Sequence, residues 1–357
     1  MDPIPESLFE DIAAIDHRIA SLIQERATKL VEMGRLDSSA SVAAALQQQL
    51  NHLSDVCNAT PGAVPEGVLR AVFREIYSGT SQLVEPVTVA YLGPQATFTH
   101  QAALSRFGTT AVYMPQKTIG DVFDAVRRGR VLFGVVPVEN STEGAVTHTL
   151  DMFVDSEVSI CAEIVMAIHH NLLCNGPTDE LTTVFSHPQV FGQCRGWLQE
   201  NLRHVSLVEM SSTTEAAMRC AREPGTGALA SRLAADQFNL AVKAEDIEDC
   251  THNTTRFFVL GSERSSSTGD DKTSLVFAVR DRVGALYDCL RAFSRNNVNL
   301  TMIESRPSRR RSWEYVFFVD VSGHMEDPGM AAAMENLQRH CQFVRIIGSY
   351  PRATSVV

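Results

Sequence analysis

The chain has no run that approaches the ~20 consecutive apolar residues a membrane helix requires, and its N-terminus lacks a basic segment followed by an apolar one. These two absences predict a cytoplasmic protein. The eight cysteines include no C-x-x-C spacing and no accompanying histidine pattern. Neither a zinc site nor a disulfide framework is expected, so the thiols should be buried and reduced. Positive charge is in deficit, with 31 Lys and Arg against 42 Asp and Glu, a formal net charge of −11. Such a balance disfavours nucleic acid, whose phosphates need a basic face. It also requires that any anionic ligand be held by locally placed cations or backbone N–H groups.

What is present fits two or three domains in 357 residues, with an ordinary 44% of hydrophobic residues. Residues 6–84 read as helical. Leu8, Ile12, Ile15, Ile19 and Leu22 step by four and three along one helix face. Val42, Leu46, Leu50 and Leu53 give a shorter stripe, and Val68, Leu69, Val72, Phe73 and Ile76 a third. Pro61-Gly62 and Pro65 interrupt the pattern before the last helix, with Pro65 suited to a helix start. From Pro86 onward short β-rich runs alternate with Ala-rich helical stretches, the strands expected at 87–92, 132–138, 158–161, 184–185, 205–208, 228–230 and 257–260. That alternation predicts a parallel sheet covered on both faces, with ligands beyond the strand ends. After a polar, Ser-rich linker at 262–271, the order strand, helix, strand, strand, helix, strand predicts a ferredoxin-like α+β domain.

Four segments of the middle region carry chemistry. Asn253-Thr-Thr-Arg-Phe257 sets a hydroxyl beside a permanent cation just before an apolar run, so Arg256 can hold a carboxylate while Thr255 works next to it. In Gly134-Val-Val-Pro-Val-Glu-Asn-Ser-Thr-Glu-Gly-Ala145, Glu139 and Asn140 leave a buried strand, and Ser141, Thr142 and Gly144 can start a helix whose free N–H groups bind an anion. The same hydroxyls can equally serve only as caps. Tyr91-Leu-Gly-Pro-Gln-Ala-Thr-Phe-Thr-His100 has the same form of strand, turn and helix start. In Ser186-His-Pro-Gln-Val-Phe-Gly-Gln-Cys194, Gln193 lies one turn beyond Gln189, and His187 reads either as a general base or as a structural residue. Ser211 and its neighbours up to Glu215 read as the cap of a following helix.

In this order the four segments resemble prephenate dehydratase over residues 87–261, and Ile303-Glu-Ser-Arg-Pro307 resembles the ACT regulatory domain of that family. The resemblance implies two α/β lobes of the periplasmic-binding-protein type at 86–262, crossing near Val165 and Ala244, then an ACT domain at 272–352. Thr255 would face Glu139 across the opening between the lobes. The implied reaction is loss of the ring hydroxyl and ring carboxylate of prephenate, giving phenylpyruvate, with no cofactor and no metal. Thr255 is then placed at the departing hydroxyl, Glu139 is an alternative proton source, Arg256 holds carboxylate, and Thr97, Asn140, Ser141, Thr142, Ser186 and Gln193 bind substrate. Ala96 stands where the family usually has a second Gly, which is costly if that position needs φ > 0. Gly284, Ala285, Leu286, Glu304, Ser305 and Arg306 resemble the residues with which ACT domains bind inhibitory L-phenylalanine between paired domains, so a homodimer or homotetramer is implied. Val283 replaces the usual Pro.

Residues 1–85 resemble the chorismate mutase domain fused ahead of the dehydratase, with Glu25-Arg26 matching its Glu-Arg pair. Arg26 should point inward, at a cost that a binding pocket would explain. Phe9, Asp37, Val42, Ala45 and Val84 occupy the places of the other ligands, so a helical dimerisation module without mutase activity is expected. A pocket completed by Arg18, Lys29 or Arg35 would keep the enzyme bifunctional. A non-catalytic amino-acid sensor and a periplasmic solute receptor are the competing classes. The retained polar set Glu139, Asn140, Gln193, Thr255 and Arg256 speaks against the sensor, and the N-terminus against the receptor.

Overall fold

The structure is a computed structural model that describes residues 5–36, 42–51, 53–59, 62–280, 282–307, 315–353 and 356; Asp37 lies outside them. The chain divides into two units, Met1–Thr88 with Phe107–Val112, and Val89–Arg106 with Tyr113–Val357.

The first unit is helical, as its periodicities predict: α1 (Glu6–Leu36), α2 (Val42–Asn51), α3 (Leu53–Asn58) and α4 (Glu66–Ser81), the last entered directly from Pro65. Only the C-terminal half of α1 is enclosed, where Ala27 and Leu30 join Ala43, Leu46, Leu53, Cys57 and Tyr77 in a small core. The N-terminal seam Leu8, Ile12, Ile15, Ile19 and Leu22 stands 49–61% exposed. Arg26 does point inward. One guanidinium nitrogen donates to Thr80 and the other to Gln49, and its Cζ lies 4.5 Å from the Tyr77 ring centroid. Burial pulls its pKa below the usual arginine value, and its partners are all neutral.

The second unit begins with β1 (Thr88–Leu92), α5 (Phe98–Phe107), β2 (Val112–Gln116), α6 (Ile119–Arg127), β3 (Phe133–Asn140), β4 (Gly144–Ala145), α7 (Thr147–Asp155) and β5 (Ser159–Ala167). After β5 the chain enters a second lobe containing β6 (Asn171–Cys174), β7 (Thr183–Ser186), α8 (Pro188–Gln193), α9 (Arg195–Asn201), β8 (Ser206–Glu209), α10 (Thr213–Cys220), β9 (Thr226–Ala230), α11 (Arg232–Phe238) and β10 (Ala241–Ala244). It returns as β11 (Thr254–Gly261). The C-terminal domain follows as β12 (Asp271–Val279), α12 (Ala285–Arg295), β13 (Leu300–Pro307), β14 (Tyr315–Ser322), α13 (Pro328–His340) and β15 (Cys341–Pro351), which is the predicted ferredoxin-like order.

The sheets are mixed rather than parallel, and this corrects the sequence expectation. The second lobe's sheet runs β10-β6-β9-β7-β8, with β7 parallel to β8 and β9 but β6 antiparallel to both its neighbours. In the first lobe β1 and β3 are parallel, whereas the returning β11 lies antiparallel between β3 and β5. The reversal arises where the chain crosses between lobes, since β11 comes back from the far lobe and enters the sheet from the crossover end. Continuous apolar strands report burial on both faces, not strand direction.

The first-lobe sheet and the C-terminal sheet form one continuous sheet in the order β13-β14-β12-β15-β5-β11-β3-β1-β2. They meet where Gly348 of β15 pairs with Ile160 of β5. A Cβ on Gly348 would lie 2.4 Å from the Ile160 carbonyl oxygen, so glycine is what lets the two strands touch. The linker is also tied down: Ser265 donates from its hydroxyl to the Cys161 carbonyl at 2.7 Å. All eight cysteines are free, and only Cys250 is exposed.

Candidate active site

β11 ends the crossover, and the pleat there sorts its side chains. Thr255 pairs with Asn140 and Arg256 with Glu139 across β3. Successive strand residues point to opposite faces, so Thr255 and Asn140 share one face while Arg256 and Glu139 share the other. Thr255 and Glu139, expected to face each other across the opening, thus sit on adjacent strands of one lobe and on opposite faces of their sheet. The antiparallel insertion of β11 beside β3 is the cause.

On the first face, Asn140 donates from Nδ2 to Thr255 Oγ1 at 2.8 Å and to Asn253 Oδ1 at 2.9 Å. Its Oδ1 accepts from the backbone N–H of Thr142 at 3.0 Å and from the Thr142 hydroxyl at 2.6 Å. The backbone donor fixes which way the Asn140 amide points, because an N–H can only face the oxygen. Thr255 therefore accepts from Asn140, and its own proton has no acceptor among the described residues. A hydroxyl held in this way can donate to an incoming group.

Ser141 and Thr142 do not start a helix. After Asn140 the chain turns and β4 folds back on β3, pairing Glu139 with Ala145 and Asn140 with Gly144, and α7 begins only at Thr147. Gly144, with φ +82°, takes the turn conformation that glycine tolerates best, so a hairpin replaces the helix start predicted from the same residues. Ser141 instead extends the β11 contact: its N–H donates to Thr254 O, and its Oγ accepts from Thr254 N. The anion site expected at that helix start is therefore absent.

The remaining expected residues divide between cleft and scaffold. Gln193, from the second lobe, donates to the Thr142 hydroxyl of the first lobe at 3.3 Å. Thr97 caps α5, donating to the Leu92 carbonyl at 3.0 Å and accepting from His100 N. Ser186 is fully buried and donates to the Leu229 carbonyl at 2.9 Å, which makes it part of the second lobe's core. His187 caps α8, its ring accepting from Gln189 N. Ala96 has φ 62°, so the position does take the left-handed conformation, strained for alanine; it is 1% exposed and its carbonyl accepts from Ser231 of the second lobe.

On the opposite face Arg256 is engaged within the protein. Nε donates to Glu163 at 2.7 Å, Nη1 to Asp320 at 2.5 Å and Nη2 to Tyr350 at 3.0 Å, while Glu139 Oε2 stands 3.9 Å from Nη1. Lys272 closes on the other oxygen of Glu163 at 2.9 Å, and Ser274 bridges Asp320 and Tyr350. Burial alone would lower the Arg256 pKa, yet Tyr350, Asp320 and Glu163 together raise it further. Burial likewise works against ionised Glu163, and Arg256, Lys272 and the Ala353 N–H overcome it and hold its pKa down. Sequence reasoning missed Glu163, Asp320 and Tyr350, which lie 93, 64 and 94 residues from Arg256.

Among the described residues one group could hold a metal, namely His169, Asp246 and Glu248. His169 Nδ1 already lies 2.7 Å from Glu248, whose other oxygen takes the His170 backbone N–H. In the C-terminal domain Gly284 (φ 76°) precedes Ala285 and Leu286 at the start of α12. Glu304, Ser305 and Arg306 lie on the edge strand β13, where Arg306 pairs with Asp151 of α7 at 3.1 Å.

Residues 89–265 match the prephenate dehydratase family and residues 273–339 the ACT domain family. A bifunctional chorismate mutase/prephenate dehydratase from Aquifex aeolicus is 41% identical over 98% of both chains, and one from Stutzerimonas stutzeri 40% over 96% of both. The crystal structure of an Arthrobacter aurescens prephenate dehydratase in complex with L-Phe is 34% identical, with a TM-score of 0.71 over 75% of this chain and 90% of that one. The chain belongs to the bifunctional chorismate mutase/prephenate dehydratase family.

Proposed function

We propose that the chain is a prephenate dehydratase that converts prephenate to phenylpyruvate, carbon dioxide and water. The observation that carries this reading is the polarity of the Asn140–Thr255 hydrogen bond, which leaves the Thr255 proton available at the end of β11. In the reaction the bond to the ring carboxylate breaks, its electron pair enters the ring, and the ring C–O bond breaks as hydroxide departs. Aromatisation drives the change; expulsion of hydroxide at neutral pH is the obstacle. A hydrogen bond from Thr255 to the leaving oxygen, stronger as charge develops there, lowers that barrier. A threonine hydroxyl is a weak acid, so the fixed dipoles of Asn140 and Asn253 support it. Arg256 acts from the other face, with its charge balanced by Glu163 and Asp320. Thr142 and Gln193 join Thr255 through Asn140, and Glu139 lies on the opposite face of its strand.

The C-terminal domain binds L-phenylalanine between copies of the chain through the Gly284 and Glu304 segments and lowers dehydratase activity. A homo-oligomer also covers the exposed α1 seam. A second activity, chorismate rearrangement, is favoured by bifunctional relatives that match across the helices and by an inward Arg26 with no acidic partner among the described residues. Phe9, Val42, Ala45 and Val84 stand against it. Among the described residues no helix is long and apolar enough to cross a membrane.

The purified full chain should release phenylpyruvate from prephenate. No phenylpyruvate would overturn the dehydratase reading, and saturable consumption of chorismate that Arg26→Ala abolishes would establish the second activity.

A further inference from the structure

The hydrogen bonds around Thr255 continue beyond Asn140 and reach a histidine to which the reaction assigns no role. The Thr142 hydroxyl spends its proton on Asn140 Oδ1, so toward Gln193 it can only accept. Gln193 must therefore present Nε2 to Thr142 and Oε1 to the other side. There Oε1 meets Asn253 Nδ2 at 3.4 Å and His170 Nε2 at 2.8 Å. Asn253 is already committed, because its own Oδ1 receives Asn140. An oxygen facing His170 Nε2 requires that nitrogen to carry the proton. The tautomer of His170 is thus dictated by a chain of donors that starts at the Thr142 backbone N–H.

We propose that His170 is a positioning residue of the dehydration: its Nε2–H holds the Gln193 amide against the Thr142 hydroxyl and so steadies the Thr142–Asn140 pair that supports Thr255. This rests on the dehydratase reading.

Three further observations agree. His170 is 1% exposed, and its Nδ1 is buried with no partner among the described residues, as the bare nitrogen of a neutral Nε2–H imidazole can be and a charged ring could not be without large cost. Its backbone is fixed at the crossover, where its N–H donates to Glu248 at 2.9 Å and its carbonyl accepts from Ile247 N at 2.8 Å. Its ring packs at 80° against Phe98 of the first lobe, centroids 5.5 Å apart. The chain also spans the cleft, with Gln193 from one lobe and Thr142, Asn140 and Thr255 from the other. Gln193 thereby ties the second lobe to the pair that supports Thr255.

The test compares the full-length parent with His170→Met, which keeps bulk and removes the donor, and His170→Gln, which puts an amide N–H near the lost Nε2. Turnover of prephenate by the parent comes first, since a parent that releases no phenylpyruvate removes the dehydratase reading and this inference together. Given an active parent, kcat of His170→Met should fall roughly tenfold or more with KM changed much less, and His170→Gln should recover most of it. The double variant His170→Met with Gln193→Met should be no slower than the slower single variant, because both break one chain. Parental kcat in a folded His170→Met, or multiplicative losses in the double variant, would overturn the inference alone. If His170→Met does not fold, a folded His170→Gln with kcat reduced as far as Gln193→Met does the same.

Discussion

Arg256 of β11 and Asp320 of β14 meet at 2.5 Å, although one adjoins Thr255 and the other lies within the C-terminal domain. Asp320 is 1% exposed and Glu163, on the other side of the guanidinium, is fully buried. Two cations and two carboxylates balance here. Asp320→Ala would leave one positive charge in excess inside the junction, and removing one member of a buried pair typically costs ~3–5 kcal/mol. Denaturant unfolding of the full chain should show a loss of that order. A loss below about 1 kcal/mol, the range of an exposed pair, would mean that the junction is open to water.

Thr255 offers a sharper contrast between shape and chemistry. Thr255→Val keeps the β-branched form that suits the strand and removes the donor, so kcat should fall by roughly two orders of magnitude or more with stability nearly unchanged. Thr255→Ser keeps the hydroxyl and should retain most of the rate. Near-parental kcat in the valine variant would move the proton donor elsewhere, with Glu139 the next residue to test.

The buried histidines set a pH response whose sign can be worked out. Burial, the largest effect, lowers the pKa of His170, opposed by Gln193 and Glu248 and aided by neighbouring His169; burial also lowers that of His100. A histidine whose folded pKa is depressed binds its proton more readily when unfolded, so stability falls as pH drops below the unfolded value of about 6.5. Glu163, also depressed, contributes stability that is present above the unfolded carboxylate value of about 4.3 and is lost as pH falls through its lower folded value. Two acid-induced declines are expected, the first beginning near neutrality. The urea midpoint measured from pH 8 to pH 5 should decrease, and replacing His170 with Gln should flatten that decrease.

Gly348 governs the seam between the dehydratase sheet and the C-terminal sheet. With no room for a Cβ against Ile160, Gly348→Ala must push β15 off β5. The C-terminal domain has a core of its own around Phe277 and Phe293, while the core around Phe153 and Phe258 runs across the seam to Val276, Phe318, Ile347 and Tyr350. The expected outcome is a protein that keeps its secondary structure by circular dichroism and unfolds at a lower urea concentration, because the core shared across the seam is strained. An unchanged urea midpoint would show that the strands do not depend on this contact.

The legible parts of the fold were those written locally. Seams such as Leu8 to Leu22, the Gly284 turn and the β/α rhythm after residue 272 depend on neighbours within a few residues, and they specified helices, cap and domain order. Short strands such as Asn171–Cys174 and Ala241–Ala244 carry too few residues for a period to show, and they were not predicted. Thr255, Asn140 and Gln193 were singled out from motif chemistry, but their assembly depends on which way β11 runs. The partners of Arg256 were hidden because its sequence context shows only an exposed-looking cation at a strand start, while Asp320 and Tyr350 approach from another domain. His170 gave no signal beyond being one of two adjacent histidines.

The last expectation concerns L-phenylalanine. The segment that resembles its binding site includes Arg306, which reaches out of the C-terminal domain to Asp151 on α7, at 3.1 and 3.3 Å through two nitrogens. Helix α7 packs through Leu150 and Phe153 in the core that also holds Phe258 of β11. A ligand that draws Arg306 toward itself therefore loosens α7, which lies one side chain from the reactive strand, and inhibition needs only a coupling of ~1–3 kcal/mol between the two sites. The coupling is reciprocal, so prephenate and phenylalanine should weaken each other's binding by the same factor. Asp151→Asn removes the charge that Arg306 answers while leaving every residue of both proposed sites in place. Calorimetry should show phenylalanine still binding this variant, while its effect on dehydratase rate falls well below that in the parent. Equal inhibition of parent and Asp151→Asn would exclude this route, and a parent indifferent to saturating phenylalanine would exclude control by the domain altogether.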